Sequence, residues 1–135
     1  MQIIDTTKLE LRLNNHFRKA LTTLRRRTSV PTMNILCRWA LCVSLAEPTK
    51  PRVIEEKIES QSSSTKARGI EIRWETFSGK DAEIYLSLLK QRCLSEGRTI
   101  DTENIQQTMK QHVERGLGYL VNDVNGLSDL ISKVA

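Results

Sequence analysis

The chain has 135 residues, of which 39% are hydrophobic and 27% charged, and its formal net charge is +5. This length is typical of one domain with a sizeable core, and the composition excludes a fully disordered protein. The longest apolar stretch, residues 35–46, is shorter than the roughly twenty residues that a membrane-spanning helix needs, so we expect no membrane span, and the N-terminus lacks the pattern of a secretory signal.

Charge is distributed unevenly along the chain. Residues 1–52 hold ten basic and three acidic residues, a balance of +7. Residues 53–135 hold eleven basic and thirteen acidic residues, a balance of −2. A basic half joined to a nearly neutral half indicates a polyanionic partner.

The predicted elements begin with a short strand. In residues 7–13, Leu9, Leu11 and Leu13 alternate with charged residues, and a period of two is typical of a half-buried strand. A strand of this length is not stable unpaired. Its partner stays open at this point: a second predicted strand at residues 70–74, or a strand of another subunit.

Two helices follow, completing a basic strand–helix–helix unit over residues 7–47. The first is capped by Asn14 or Asn15 and ends near Thr28. The second runs from about residue 32 to 46 and is apolar nearly all round, so we expect it to be buried. This order is similar to that of ribbon-helix-helix DNA-binding proteins, in which the strand pairs with that of a second chain and the protein is therefore an oligomer.

A flexible loop is predicted for residues 55–68, which are polar and contain a run of serine and threonine. Residues 70–74 then alternate apolar and charged side chains, which predicts the second strand. With the helices behind it, this strand belongs to the last part of the domain, residues 69–134. The expected fold class is mainly α with a small β component, in one domain that spans residues 1–135.

Helices are predicted for most of the C-terminal part. One begins at a capping box at Ser78 and ends before Gly97. The next begins at a cap on Asp101 and is expected to end near Gly116 or Gly118, because glycine commonly follows the end of a helix. A short closing helix completes the chain.

No catalytic or metal-binding pattern stands out, so we expect no catalytic residue, no metal ligand and no cofactor. Cys37 and Cys42 depart from the CxxC spacing, and His16 and His112 are far apart in sequence. The odd number of cysteines and their apolar neighbours indicate thiols of a reducing cytoplasm, packed in a core. A Cys–His pair stays an open alternative, because such partners meet only in the fold. We expect His112 to be a packed or surface side chain.

The strongest functional signal is the basic face of the first helix. Arg18 and Arg25 are seven residues apart, as are Lys19 and Arg26, so each pair lies on one face two turns apart. Rows of cations on a rigid element can neutralise several phosphates together, and the alternative is a solvated helix face. The candidate phosphate-contacting residues are Arg18, Lys19, Arg25, Arg26 and Arg27, followed by Lys8, Arg12 and Arg38.

Three further residues have two interpretations. Arg38 is the single charge within the apolar helix, so it requires either a structural partner, such as a carboxylate or a carbonyl, or a phosphate. Trp39 and Trp74 have apolar neighbours and are expected to be core anchors rather than base-stacking platforms.

Four motifs resemble those of the DndE family, small bacterial proteins of DNA phosphorothioation (DNA sulfur modification) systems. They are LRRRT at 24–28, NILCRWALCVSLAEP at 34–48, WETFSG at 74–79 and YLSLLKQRC at 85–93. They occur in the same order as in the family, and the resemblance covers most of residues 7–120.

The resemblance implies a role in the replacement of a non-bridging oxygen of the DNA backbone by sulfur. It implies that the sulfur chemistry is carried out by partner proteins: a cysteine desulfurase, an iron–sulfur protein and an ATPase-like component. It also implies binding to duplex DNA, especially nicked duplex, and assembly into a homo-oligomer, a tetramer. Two rival hypotheses are an interaction subunit with little DNA contact and a cysteine-dependent enzyme of sulfur transfer.

Overall fold

The two predicted strands pair with each other. A computed structural model describes residues 4–52 and 69–133 of the chain. In it, β1 (Glu10–Leu13) and β2 (Ile70–Arg73) form an antiparallel two-stranded sheet. Of the two partners left open for the first strand, the structure therefore has the one within the same chain. The predicted flexible loop, residues 55–68, lies outside the described residues.

The first strand is shorter than predicted. Thr6–Lys8 forms a turn of 3₁₀ helix, and the side chain of Asp5 accepts a hydrogen bond from the backbone N–H of Thr7 at 3.1 Å. Short polar side chains that bond to nearby backbone compete with a strand ladder, so pairing begins only at Glu10. In the sheet, Leu11 lies opposite Ile72, and both are buried.

The two helices of the basic half are confirmed: α1 (Asn15–Thr28) and α2 (Met33–Leu45). Asn14 caps α1 and accepts a hydrogen bond from the backbone of Phe17 at 3.3 Å. The expectation that α2 is buried all round is wrong, because Cys42 is exposed. One side of α2 packs in the core, and the other reaches the surface.

The strand β2 ends one residue earlier than predicted, because Trp74 begins α3 (Trp74–Ser78). The predicted capping box at Ser78 is wrong. Ser78 is the last residue of α3, and its hydroxyl donates to the backbone carbonyl of Trp74 at 2.8 Å. A 3₁₀ turn (Gly79–Asp81) then leads into α4 (Ala82–Ser95), which has no side-chain cap bond at its start.

The longest helix is α5 (Thr102–Asp123), followed by α6 (Leu127–Ser132). Asp101 caps α5 as predicted and accepts from the backbone N–H of Asn104 at 2.8 Å. The predicted end of α5 near Gly116 or Gly118 is wrong, since the helix continues to Asp123. Gly116 is buried within α5, where the tertiary packing outweighs the tendency of glycine to end a helix.

The core lies around α5, which packs against α2, α1, α4 and β1. Its apolar side chains come from both halves of the chain, with Leu11, Leu21 and Leu41 fully buried beside Met109 and Leu117. Among the described helices, none combines the length and the hydropathy that a membrane span requires. The fold is mainly helical with one small sheet, as the sequence predicted.

Candidate nucleic-acid interface

The exposed side of α1 is basic. Phe17, Leu21 and Leu24 are buried on this helix and fix its orientation. We define the α1 basic face as its exposed cations, which are Arg18, Lys19, Arg25 and Arg26. Within the described part of the chain, no carboxylate forms an ion pair with Lys19, Arg25 or Arg26. Lys19, Arg25 and Arg26 therefore present charge that is available to an external anion.

Arg27 differs from Arg25 and Arg26 in its hydrogen bonds. Its side chain is half-buried, and its Nη1 donates to the backbone carbonyls of Val121 at 2.8 Å and Val124 at 3.3 Å. Those carbonyls lie at the C-terminal end of α5, where a cation is favoured by the helix dipole. Arg27 thus holds α1 against α5, a structural role that competes with its predicted contact to phosphate.

Lys8 and Arg12 lie beside carboxylates at the sheet. The Lys8 Nζ is 3.9 Å from Asp5 Oδ2, and the Arg12 Nη2 is 2.5 Å from Glu10 Oε1. Arg12 Nε also lies 3.6 Å from Glu71 Oε1. Both cations are exposed, but nearby acids neutralise their charge, so they contribute less to a positive surface than the α1 basic face does.

Arg38 lies on the outer side of α2 and is half-buried. Its Nη1 occupies space beside Gly79, where a Cβ would lie 3.0 Å from it, and Gly79 has φ +57°. Among residues 4–52 and 69–133, no hydrogen bond or ion pair to the Arg38 guanidinium is found. The carboxylate or carbonyl that the sequence analysis offered as one possible partner of Arg38 is thus not found in the described part of the chain.

A second basic surface was not predicted from the sequence. It is a cleft of about 460 Å³ between the segment after α2 and the outer side of α5. We call it the basic cleft; its lining residues are Thr49, Lys50, Arg52, Gln111, Arg115 and Tyr119. Three of the six are cations, and none of the described residues that line it is acidic. Lys50 and Arg52 belong to the basic half of the sequence, but nothing in the sequence placed them beside Arg115.

Arg115 shapes this cleft through contacts with the end of α2. Its Nε donates to Ser44 Oγ, and its Nη2 to the Ser44 carbonyl, each at 2.8 Å. Its Nη1 donates to the Thr49 carbonyl at 2.8 Å and to the Thr49 hydroxyl at 3.0 Å. The Tyr119 ring centroid lies 6.0 Å from the Arg115 Cζ. Arg115 is therefore held rigidly and positions the segment that carries Lys50 and Arg52.

A buried polar network joins α2, α4 and α5. The His112 Nδ1 lies 2.7 Å from Ser44 Oγ, and its Nε2 lies 2.7 Å from Glu96 Oε2. Ser44 and His112 are fully buried, and the other carboxylate oxygen of Glu96 is buried and has no hydrogen-bond partner among the described residues. Burial lowers the pKa of His112, and this outweighs the opposing effect of Glu96. In this structure Ser44 has no exposed surface, and His112 is packed as expected.

The three cysteines are free thiols. Cys37 and Cys93 are buried, and burial raises the pKa of the Cys37 thiol to about 12, which favours an inert protonated group. Cys42 is exposed, contrary to its expected place in the core. Within the described ranges, no three histidine, cysteine or acidic residues lie close enough together to hold a metal ion.

Comparison with known proteins identifies a family whose sequence model the chain matches. Residues 10–128 match the sequence model of the family described as DNA sulphur modification protein DndE. The match includes the α1 basic face, both strands and all of α2 to α5. No curated protein matches the chain.

Proposed function

We propose that this chain, which belongs to the DndE family of DNA sulphur modification proteins, is a non-catalytic component of a DNA phosphorothioation system and binds duplex DNA. The observation that carries the proposal is the α1 basic face. Three of its exposed cations, Lys19, Arg25 and Arg26, have no carboxylate partner within the described chain. A polyanion is the partner that such a surface favours, and in a DNA-modification family that polyanion is DNA.

The proposed binding is electrostatic and independent of base sequence. Cations on one rigid helix meet several phosphates at once and release the counterions that those phosphates held. Phosphate contacts fix the position of a protein on the duplex but do not identify bases. The basic cleft, which Lys50 and Arg52 help to line, offers a second place for contacts with the DNA backbone.

We propose several finer features as well, which the resemblance to the family implies. The preferred DNA is nicked duplex, and the protein acts in the bacterial cytoplasm as a homo-oligomer, a tetramer. The sulfur chemistry belongs to partner proteins of the modification system. The raised pKa of the Cys37 thiol and its burial support this proposal for that residue, whereas Cys42 is exposed.

The test is a salt titration of DNA affinity. Lys19→Gln, Arg25→Gln and Arg26→Gln are combined in one variant and compared with wild type on a nicked and an intact duplex of the same sequence. We expect weaker binding and a salt slope reduced by about 0.9 for each lost phosphate contact. The combined variant Lys8→Gln with Arg12→Gln is the comparison and should change the slope less, because acids already neutralise these cations. Unchanged affinity and slope in the α1 variant would exclude this face as the DNA site.

A second candidate function is an interaction subunit that contacts DNA little. The observation that favours it is the exposed apolar side of α4, where Ile84 is 61% and Leu88 38% exposed on successive turns. Exposed apolar side chains on adjacent turns favour contact with another protein. If Ile84→Ser with Leu88→Ser abolishes binding to purified partner proteins, while wild type binds neither nicked nor intact duplex, this candidate replaces the first.

A further inference from the structure

An aromatic pocket opens on the outer side of α2, apart from the α1 basic face and the basic cleft. It has a volume of about 320 Å³ and is lined by Ile35, Arg38, Trp39 and Cys42 of α2 and by Tyr85 of α4. We call it the aromatic pocket. It is mostly apolar and contains one cation, and the described residues that line it include no acid.

The guanidinium of Arg38 is the first feature that indicates a ligand. It is half-buried on an otherwise apolar helix and has no hydrogen bond or ion pair with any residue in the described ranges. Removing a charge from water without a partner is unfavourable. Guanidinium groups present several donors in one plane, which suits the oxygens of a phosphate. The backbone of Gly79 leaves room for this side chain, so the position of the charge is built into the fold.

Two aromatic rings are the second feature. Trp39 is only partly buried, unlike Trp74, which is 4% exposed and lies in the core. The ring of Tyr85 packs edge-on against Phe77, with 5.9 Å between the ring centroids, and Phe77 in turn packs against Trp74. Trp39 was expected to be a core anchor only, but the structure also makes it part of a surface pocket. A planar apolar group is the ligand that aromatic side chains of this kind bind best, because it can stack on them.

We propose that the aromatic pocket binds one unstacked nucleotide of DNA, with its base against Trp39 and Tyr85 and its phosphate at Arg38. The combination of flat apolar walls and one unpaired cation matches the two parts of a nucleotide, and the volume is at the small end of ligand pockets. This inference rests on the proposed function, because it requires that the protein meets DNA. It adds to that function a site for a base that has left the duplex stack.

The experiment compares two duplexes of equal length, one fully paired and one with a single unpaired adenine. Wild type should bind the bulged duplex about tenfold more tightly, since stacking of one base on aromatic side chains changes affinity by that order. Arg38→Met and Tyr85→Leu should reduce this preference to about one. The matched control, Lys19→Gln with Arg26→Gln, should weaken binding to both duplexes and leave the preference unchanged. Circular dichroism and thermal unfolding establish that each variant is folded.

Intrinsic fluorescence gives an independent readout. Trp74 is buried, so the signal that responds to a stacked base comes from Trp39. The bulged duplex should quench the fluorescence of wild type more than the paired duplex does, and Trp39→Phe should remove that difference.

Three outcomes would overturn the pocket inference. The first is that wild type binds both duplexes equally, and the second is that the pocket variants keep the preference for the bulged duplex. The third is that Arg38→Met abolishes binding to a purified partner protein and leaves the DNA preference intact, which would make the occupant a peptide. A wild type that binds neither duplex contradicts the proposed function itself, and this result is distinct from equal binding of the two.

Discussion

Gly116 of α5 packs directly on the backbone of Ala40 in α2. A Cβ at position 116 would lie 1.8 Å from the carbonyl oxygen of Ala40. Only glycine allows this approach, and both residues are buried. This close contact between the two central helices therefore depends on a glycine that, from the sequence, was expected to end the helix.

Replacing Gly116 by alanine should destabilise the protein by about 3 kcal/mol, because α2 and α5 would have to separate around the new methyl group. Gly118→Ala is the matched control on the same helix, since a Cβ there meets nothing within 4 Å. It should be neutral or stabilise by about 0.5–1 kcal/mol through helix propensity. Denaturant unfolding of both variants measures the difference. Equal effects of the two substitutions would contradict the packing described for α2 and α5.

Arg26 and Arg27 should differ in effect although they are adjacent. Arg27→Gln should lower the free energy of unfolding by about 1–2 kcal/mol, because it removes donors to the Val121 and Val124 carbonyls. Arg26→Gln should leave stability within about 0.5 kcal/mol, because its side chain is exposed. DNA affinity should fall more for Arg26→Gln than for Arg27→Gln. Thermal unfolding and gel shifts of the two variants together check the assignment, which a reversed pattern would disprove.

The stability of the protein should fall in acid because of His112. Burial, together with the cations Arg115 and Arg92, lowers the pKa of the folded His112, and the opposing effect of Glu96 is smaller. The unfolded chain then binds the proton more readily, so stability is full above about pH 6.5 and is lost as the pH falls toward the lower pKa of the folded state. The slope is at most about 1.4 kcal/mol per pH unit for one proton.

Denaturant midpoints of wild type between pH 8 and pH 5.5 measure this slope. His112→Gln should flatten it, whatever its effect on stability at pH 8. His16→Gln, which changes an exposed histidine, should leave most of the slope in place. If instead the free energy of unfolding increases as the pH falls from 7 to 6, the attraction between protonated His112 and Glu96 dominates.

The basic cleft should contribute to DNA affinity in addition to the α1 basic face. Lys50→Gln with Arg52→Gln should weaken binding several-fold and reduce the salt slope by up to about 1.8. Both side chains are exposed, so stability should change little. Anisotropy titrations at several salt concentrations measure the effect, with unfolding curves as the control. If the slope stays at the wild-type value, the cleft has no part in DNA binding.

Thiol reactivity should single out Cys42 in the folded protein. It is exposed, whereas Cys37 and Cys93 are buried. Burial raises the pKa of all three thiols, so Cys42 should react more slowly than free cysteine but before the other two. Labelling with a chromogenic disulfide at pH 8 should modify one thiol without denaturant, and Cys42→Ser should abolish that reaction. Fast labelling of the variant would contradict the burial of Cys37 and Cys93.

Features that depend on neighbouring residues could be read from the sequence. The caps at Asn14 and Asp101, the extents of α1 and α2 and the cations on α1 all follow from interactions over a few residues. Helix periodicity and capping require no knowledge of the rest of the chain. The family motifs lie mostly on α1 to α4 and are themselves local patterns, which is why the mainly helical fold class and the family were identified from the sequence.

Features that depend on distant contacts could not be predicted from the sequence. Three features each depend on residues more than fifty positions away. They are the strand that pairs with β1, the continuation of α5 through Gly116 and the carbonyl contacts that distinguish Arg27 from Arg26. Arg115 at the basic cleft and Tyr85 at the aromatic pocket likewise lie beside residues more than forty positions away. Which residues are basic, apolar or able to cap a helix follows from the sequence. Packing determined which cations are held by distant carbonyls, as Arg27 and Arg115 are, because the free energy of a charge depends on its three-dimensional surroundings.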